Sequence, residues 1–347
     1  DPGPGLGTLP EQATSPIDSE DRLLSLPVGP AIAVLTFAFL GSDVEDSYLA
    51  SGLTEEIIIS LTRFPDLLVI GPLIRGVVPE RGQDVRRIGR ECGVQFVLDG
   101  TVRRRGQSLR LTAKLSDAAS GAHLWGQTFD YSLEAVSIDE IEEAVVGHVV
   151  ATIGDGHGVI HRSLYKESLP QRTDSLSDYE AVLRFYHYFR VFTPQAMADA
   201  FEALEKTLRR DPDHALAVAM LGDLLISTYM NGYEDSEAVL ERAEALALRA
   251  VALNPNLQLA HFTMGLVYFL RHQQTLFLQE FEYALQLNPN HCGHVASIAF
   301  QLCMAGEWER GLKLMEKAMR LNPHHPGAYH VVPFMNHYRL GEYDLAL

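Results

Sequence analysis

Four groups of residues in this 347-residue chain carry side chains from which reactive or ligand-binding sites are built. Gly154-Asp155-Gly156-His157-Gly158 has the glycine spacing of a phosphate-wrapping loop, with an acid and an imidazole inside it. Phosphate loops lie between a buried strand and a helix. This one follows a helical pattern and opens a polar stretch reaching Ser175, so it reads as linker. Gly52-Leu53-Thr54-Glu55-Glu56 sets two carboxylates side by side, as acid–base chemistry would require. Adjacent helix positions diverge by about 100°, and acids are favoured at helix starts by the dipole, so a helix-terminus role is expected. Arg103, Arg104 and Arg105, with Arg110 and Lys114 on the next strand, could gather at a hairpin tip and contact phosphate. Strand alternation opposes this by sending such arginines to the solvated face. His291-Cys292-x-His294 with His324-His325 is the one cluster suggesting a metal. Zinc needs four converging ligands, whereas these positions follow turns where polar side chains cap the next helix. No metal and no cofactor is expected.

Enzyme signatures are missing from the sequence. It has no G-x-x-x-x-G-K-[ST] cradle, no G-x-S-x-G elbow and no H-E-x-x-H helix, and no segment resembles the paired metal-binding carboxylates of a nucleotide cyclase. A non-catalytic chain is expected. The net charge of −17 opposes nonspecific nucleic-acid binding, which depends on Lys and Arg displacing counterions. Cys92, Cys292 and Cys303 form no disulfide pattern, which fits a reducing cytoplasm. The longest apolar run, residues 31–40, is well short of the roughly 20 residues of a membrane span. The chain starts without Met and stops inside an unfinished repeat, so we read it as a piece of a longer protein.

What would position these groups is a repeat. Asp211-Pro212, Asn254-Pro255, Asn288-Pro289 and Asn322-Pro323 place prolines 43, 34 and 34 residues apart. Proline suits a junction where one helix has ended and the next has not begun. Small residues recur where paired helices must cross: Gly222, Gly265 and Ala299 in first helices, and Ala200, Ala243, Ala250, Ala284 and Ala318 in second helices. Period, proline and small residues together resemble tetratricopeptide (TPR) repeats over about residues 178–347, opening at a Ser177-x-x-Glu180 capping box. Nine extra residues before Pro255 are assigned to a longer loop near Asn231 to Asp235.

The resemblance implies a concave binding surface. Helix phase places Asp223, Leu259, Phe262, Phe269, Phe300, Met304, His330, Phe334 and Tyr338 on it. Repeats that grip a C-terminal carboxylate present Lys, Arg and Asn, and the equivalent positions here, Ala219, Phe262, Ala296 and His330, do not. The expected ligand is a protein or peptide partner offering an apolar or helical segment.

Before the repeats, strands are predicted over 31–37, 67–70, 94–105, 108–116 and 122–131, with helices over 48–63, 84–92 and 138–153. The phrases Ile32-Ala33-Val34-Leu35, Gly52 to Glu56, Asp84-Val85-Arg86-Arg87-Ile88-Gly89, Val97-Leu98-Asp99-Gly100-Thr101 and Gly121-Ala122-His123-Leu124-Trp125 are similar to the TolB-like amino-terminal domain of bacterial signalling proteins, with Thr36 replacing the usual Pro. The expected fold class is α+β: a flexible linker at 1–29, a small mixed-sheet α/β domain at 30–153, a linker at 154–176 and an all-α TPR solenoid at 177–347. This pairing resembles the C-terminal region of class III nucleotide cyclases and of winged-helix regulators. It implies a regulatory module serving an upstream catalytic or DNA-binding domain of the same parent protein.

Overall fold

Alternation of apolar residues builds the sheet. In the computed structural model, which describes residues 29–41, 44–71, 84–168, 178–234, 236–323 and 325–346, β1 (Ala31–Val34) turns Ile32 and Val34 to one face and Ala31 and Ala33 to the other. β1, β3 (Leu68–Ile70) and β4 (Phe96–Arg105) run parallel. β4, β5 (Ser108–Asp117) and β6 (His123–Ser132) form an antiparallel meander, giving the order β3-β1-β4-β5-β6. The strand expected to reach residue 37 stops at Val34, and the chain re-enters as a short β2 (Ala38–Phe39) on β4. At the break, the Phe37 N–H donates to Thr54 Oγ1 (2.9 Å) and the Phe37 ring lies over Gly100, where a Cβ would collide with it.

One face of the sheet is covered by α1 (Val44–Leu61) and α3 (Ile138–Gly154), which bury Leu53, Ile57, Ile141 and Val145. The other face receives α2 (Val85–Cys92) through Ile88. α1 begins at Val44, earlier than predicted, and ends at Leu61. Gly52 to Glu56 therefore lie within α1 rather than at its start. Glu55 and Glu56 are exposed, and Thr54 is the buried, bonded member of the phrase.

The helical part follows the repeat. α5 (Asp178–Val191) packs on α6 (Pro194–Arg210), α7 (Ala215–Met230) on α8 (Glu237–Leu253), α9 (Gln258–Leu270) on α10 (Gln274–Leu287) and α11 (Cys292–Met304) on α12 (Trp308–Leu321). A 3₁₀ turn leads into α13 (Val331–Leu340), followed by the single turn α14 (Tyr343–Ala346). Small residues sit where the helices cross: Ala200, Ala243, Ala250, Ala284, Ala299 and Ala318 are fully buried, and a Cβ on Gly265 would strike the Phe281 ring.

The nine extra residues do not all enter a loop. α7 and α8, with 16 and 17 residues, are each three residues longer than α9 and α10, with 13 and 14. Only the remaining three lengthen the connection, because added apolar length is stabilised by packing whereas added loop is not. Ser177, the expected capping-box residue, lies outside the described residues; a capping box is present instead at Ser137 and Glu140, opening α3. The chain is thus an α+β protein, a small mixed sheet followed by TPR-like helical repeats.

Candidate functional site

At the end of α3 the chain does not run out as a polar linker. Asp155 is fully buried. Gly156 approaches the Tyr186 ring so closely that no Cβ would fit, and Gly158 lies against the carbonyls of Thr152, Ile153 and Asp155. α4 (Val159–Ser168) then begins, with Ile160 and His161 buried; the rest of the expected linker, 169–176, lies outside the described residues. Glycines read from sequence as a sign of looseness are required here by close packing: at Gly156 the Tyr186 ring, and at Gly158 the chain's own preceding carbonyls, leave no room for a side chain.

Asp155 joins the sheet part to the repeats. Its Oδ2 accepts from the Gly293 N–H in the first turn of α11 (3.1 Å) and lies 3.0 Å from His291 Nδ1, while Oδ1 accepts from the His157 N–H (2.9 Å). A carboxylate from one part of the molecule thus caps a helix of the other, where the dipole favours negative charge. Burial pushes this carboxyl up, but the charge and hydrogen bond of His291, with His157, outweigh it and hold the group well below the usual carboxylate range. Beside it, His161 Nδ1 faces the Asp155 carbonyl (3.0 Å) and Nε2 faces Asp66 Oδ2 (2.6 Å).

Rings continue the junction inward. Phe64, at the end of α1, stacks on His291 (5.6 Å), His291 on His294 (3.7 Å, 5° between planes) and His294 on Phe262 of α9 (4.5 Å). His294 Nδ1 bonds Gln258 Oε1 (3.0 Å), and Asn288 Nδ2 donates to the Arg63 carbonyl (3.4 Å). α3 meets α12 so closely that a Cβ on Gly147 would press on Leu321. Asp155 and His157 were weighed from sequence only as part of a phosphate-loop pattern and assigned to linker, and Phe64, Asp66 and His161 were not singled out. The glycines around Asp155 were the available signal, and their partners are far away in the chain.

The expected groove divides in two. Asp223, Leu259 and Phe262 are buried, at 5 %, 4 % and 4 % exposure, so they are corrected from groove-lining to interior positions. The reason is that neighbouring first helices close over them, as His294 does over Phe262. Phe269 and Phe300 are half-buried, and Met304, His330, Phe334 and Tyr338 are exposed. Phe334 stacks on Tyr338 (6.1 Å) and Tyr338 meets Tyr343 (5.6 Å), making an aromatic strip at the far end of the repeats.

Burial, with no ion-pair partner among the described residues, holds the Asp223 carboxyl up to about 7. A carboxyl raised in the folded state contributes most below its unfolded value of about 3.9 and loses that contribution as pH rises toward 7. Asp223→Asn is therefore expected to raise the unfolding free energy at mildly alkaline pH by on the order of 2–4 kcal/mol, with little gain in acid. Urea denaturation at the two pH values checks this.

Of the arginines, Arg103 and Arg110 are cross-strand neighbours on β4 and β5, with Arg110 bound at 2.6 Å by Asp130; Arg105 is exposed two positions along β4 from Arg103, and Arg104 Nε donates to the Gly106 carbonyl (3.1 Å). His324 lies outside the described residues, and among the described residues no three His, Cys, Asp or Glu are placed to hold a metal ion. No described helix is long and apolar enough to cross a membrane.

No family model matches the chain. It is 29% identical over 244 residues to "Putative adenylate cyclase 3" of Rhizobium meliloti (strain 1021), covering 70% of this chain and 40% of that protein. It is 21% identical over 168 residues to the transcriptional regulator HilA of Salmonella typhimurium, covering 48% of this chain and 30% of that one. The chain thus spans less than half the length of these curated relatives. Among solved structures, TTC0263, a thermophilic TPR protein of Thermus thermophilus, gives a TM-score of 0.37 at 17% identity, covering 53% of this chain and 92% of that one. MamA from Desulfovibrio magneticus RS-1 gives 0.33 at 19% identity, covering 48% and 88%. TolB from Acinetobacter baumannii gives 0.25 at 16% identity, covering 34% and 27%.

Proposed function

We propose that this chain is a non-catalytic regulatory module in which a TolB-like sheet domain carries a TPR array that binds an apolar or helical segment of a partner protein. The observation that carries the reading is the exposed aromatic strip of Phe334 and Tyr338, with Met304 and His330 exposed and Phe269 and Phe300 half-buried on the first helices of successive repeats. Large apolar side chains grouped this way mark interaction surfaces, and an amphipathic helix laid in a groove is the mode that uses them.

The relatives support a shared regulatory role. One is named for a cyclase and the other for transcription, yet each matches this chain over less than half of its own length. The longer match, to the cyclase, favours a second reading: the regulatory region of a nucleotide cyclase whose catalytic residues lie outside this sequence.

Selection of displayed random peptides on the immobilised chain tests the binding reading. Enriched peptides are expected to repeat aromatic or aliphatic residues at i and i+4, and Phe334→Ala with Tyr338→Ala to weaken their binding about tenfold or more. Enrichment of highly charged peptides, or binding indifferent to both substitutions, would sink it. Cyclic nucleotide formed from ATP or GTP by the purified chain would replace it with a catalytic account.

A further inference from the structure

The contact between the α3–α4 loop and the start of α11 gathers four imidazoles, His157, His161, His291 and His294, around two carboxylates, Asp66 and Asp155. His161 already uses Asp66 through Nε2 and the Asp155 carbonyl through Nδ1, with Tyr179 and Tyr186 against its ring. Asp155 answers His291. His291 Nδ1 lies between that carboxylate and the His294 N–H (3.3 Å), and its Nε2 is buried without a partner among the described residues. His294 lies parallel to His291 at 3.7 Å and packs on the uncharged Gln258 and Phe262 of α9, while Asp155 attracts and His157 repels a proton there. His157 faces Asp155, His161, His291 and, from α5, the cation Arg190. Cys292, Asn322 and Tyr329 close the site as neutral groups, the Tyr329 hydroxyl donating to the Cys292 carbonyl (3.1 Å).

Asp155 favours a proton at His157 and at His294, but it is already bonded to Gly293, His157 and His291, and burial together with the neighbouring imidazoles outweighs it at both. Like charges a few ångströms apart in a site shielded from water repel strongly. The opposing charge is already engaged.

We propose that this junction is an acid-released latch: protonation of His294 and His157 drives α11 away from Asp155 and swings the repeats off the sheet domain while both stay folded. Burial depresses both imidazoles, His294 well below the ordinary value and His157 less so, which places release on the acid side of neutrality. A base depressed in the folded state supports it fully above the unfolded value near 6.5 and withdraws that support as pH falls. On release, Phe64 and the loop around Asp155 leave His291, and the first turn of α11 loses its cap from across the junction.

Small-angle X-ray scattering of the full chain, titrated from about pH 7.5 to about pH 5 with circular dichroism alongside, tests the latch. The radius of gyration is expected to rise on acidification while the helical signal holds. His294→Gln is expected to lower the midpoint by about half a pH unit or more, and Asp155→Asn to give the expanded form already at neutral pH. Unchanged dimensions across the titration of the native chain would overturn the proposal without need of any variant. So would expansion that coincides with loss of helix, which would mean acid unfolding, or a midpoint that His294→Gln leaves in place.

Discussion

Asp155→Ala is expected to lower the unfolding free energy at neutral pH by about 3–5 kcal/mol, the cost typical of breaking a buried charge pair by removing one partner. The carboxylate accepts from Gly293 and pairs with His291, and its removal leaves both groups buried without an acceptor. The effect has a defined pH dependence. While the junction is closed, the carboxyl, held below its unfolded value, contributes fully above about 3.9 and loses that contribution as pH falls through the folded value; opening of the latch removes it at higher pH. Native and variant chains are therefore expected to draw together in strong acid. Urea titrations at neutral and acid pH measure this, and equal stability at neutral pH would show that the junction adds nothing to the fold.

Phe262→Ala is expected to cost about 3–5 kcal/mol, as for other aromatic truncations in a core. Its ring lies between His294 and Phe281 at 4 % exposure. Phe334→Ala, at 45 % exposure, is expected to change stability by less than about 0.5 kcal/mol. Thermal unfolding of the two variants separates the positions: Phe262 holds successive repeats together, whereas the exposed Phe334 adds little to the fold. Similar losses in both would mean that the aromatic strip belongs to the core.

Much of the fold was legible locally. The 34-residue proline spacing and the recurring small residues located the helix pairs, and strand alternation with hairpin turns located β4, β5 and β6. Each of these signals is a repeat distance along the chain. Boundaries shifted, as when α1 began at Val44 and the extra residues lengthened α7 and α8.

The residues that could do chemistry divide in the same way. Helix phase identified Phe334 and Tyr338 as outward-facing, and both are exposed on α13. Phase could not tell that Asp223, Leu259 and Phe262 face inward, because the helices that cover them are set by superhelical stacking. It was equally blind to Asp155. The sequence by itself determined the helical period, the strand pattern and the absence of the enzyme signatures sought. Only the tertiary structure made Gly154 to Gly158 a buried joint, because His291, the side chain that Asp155 meets, lies more than a hundred residues further along the chain.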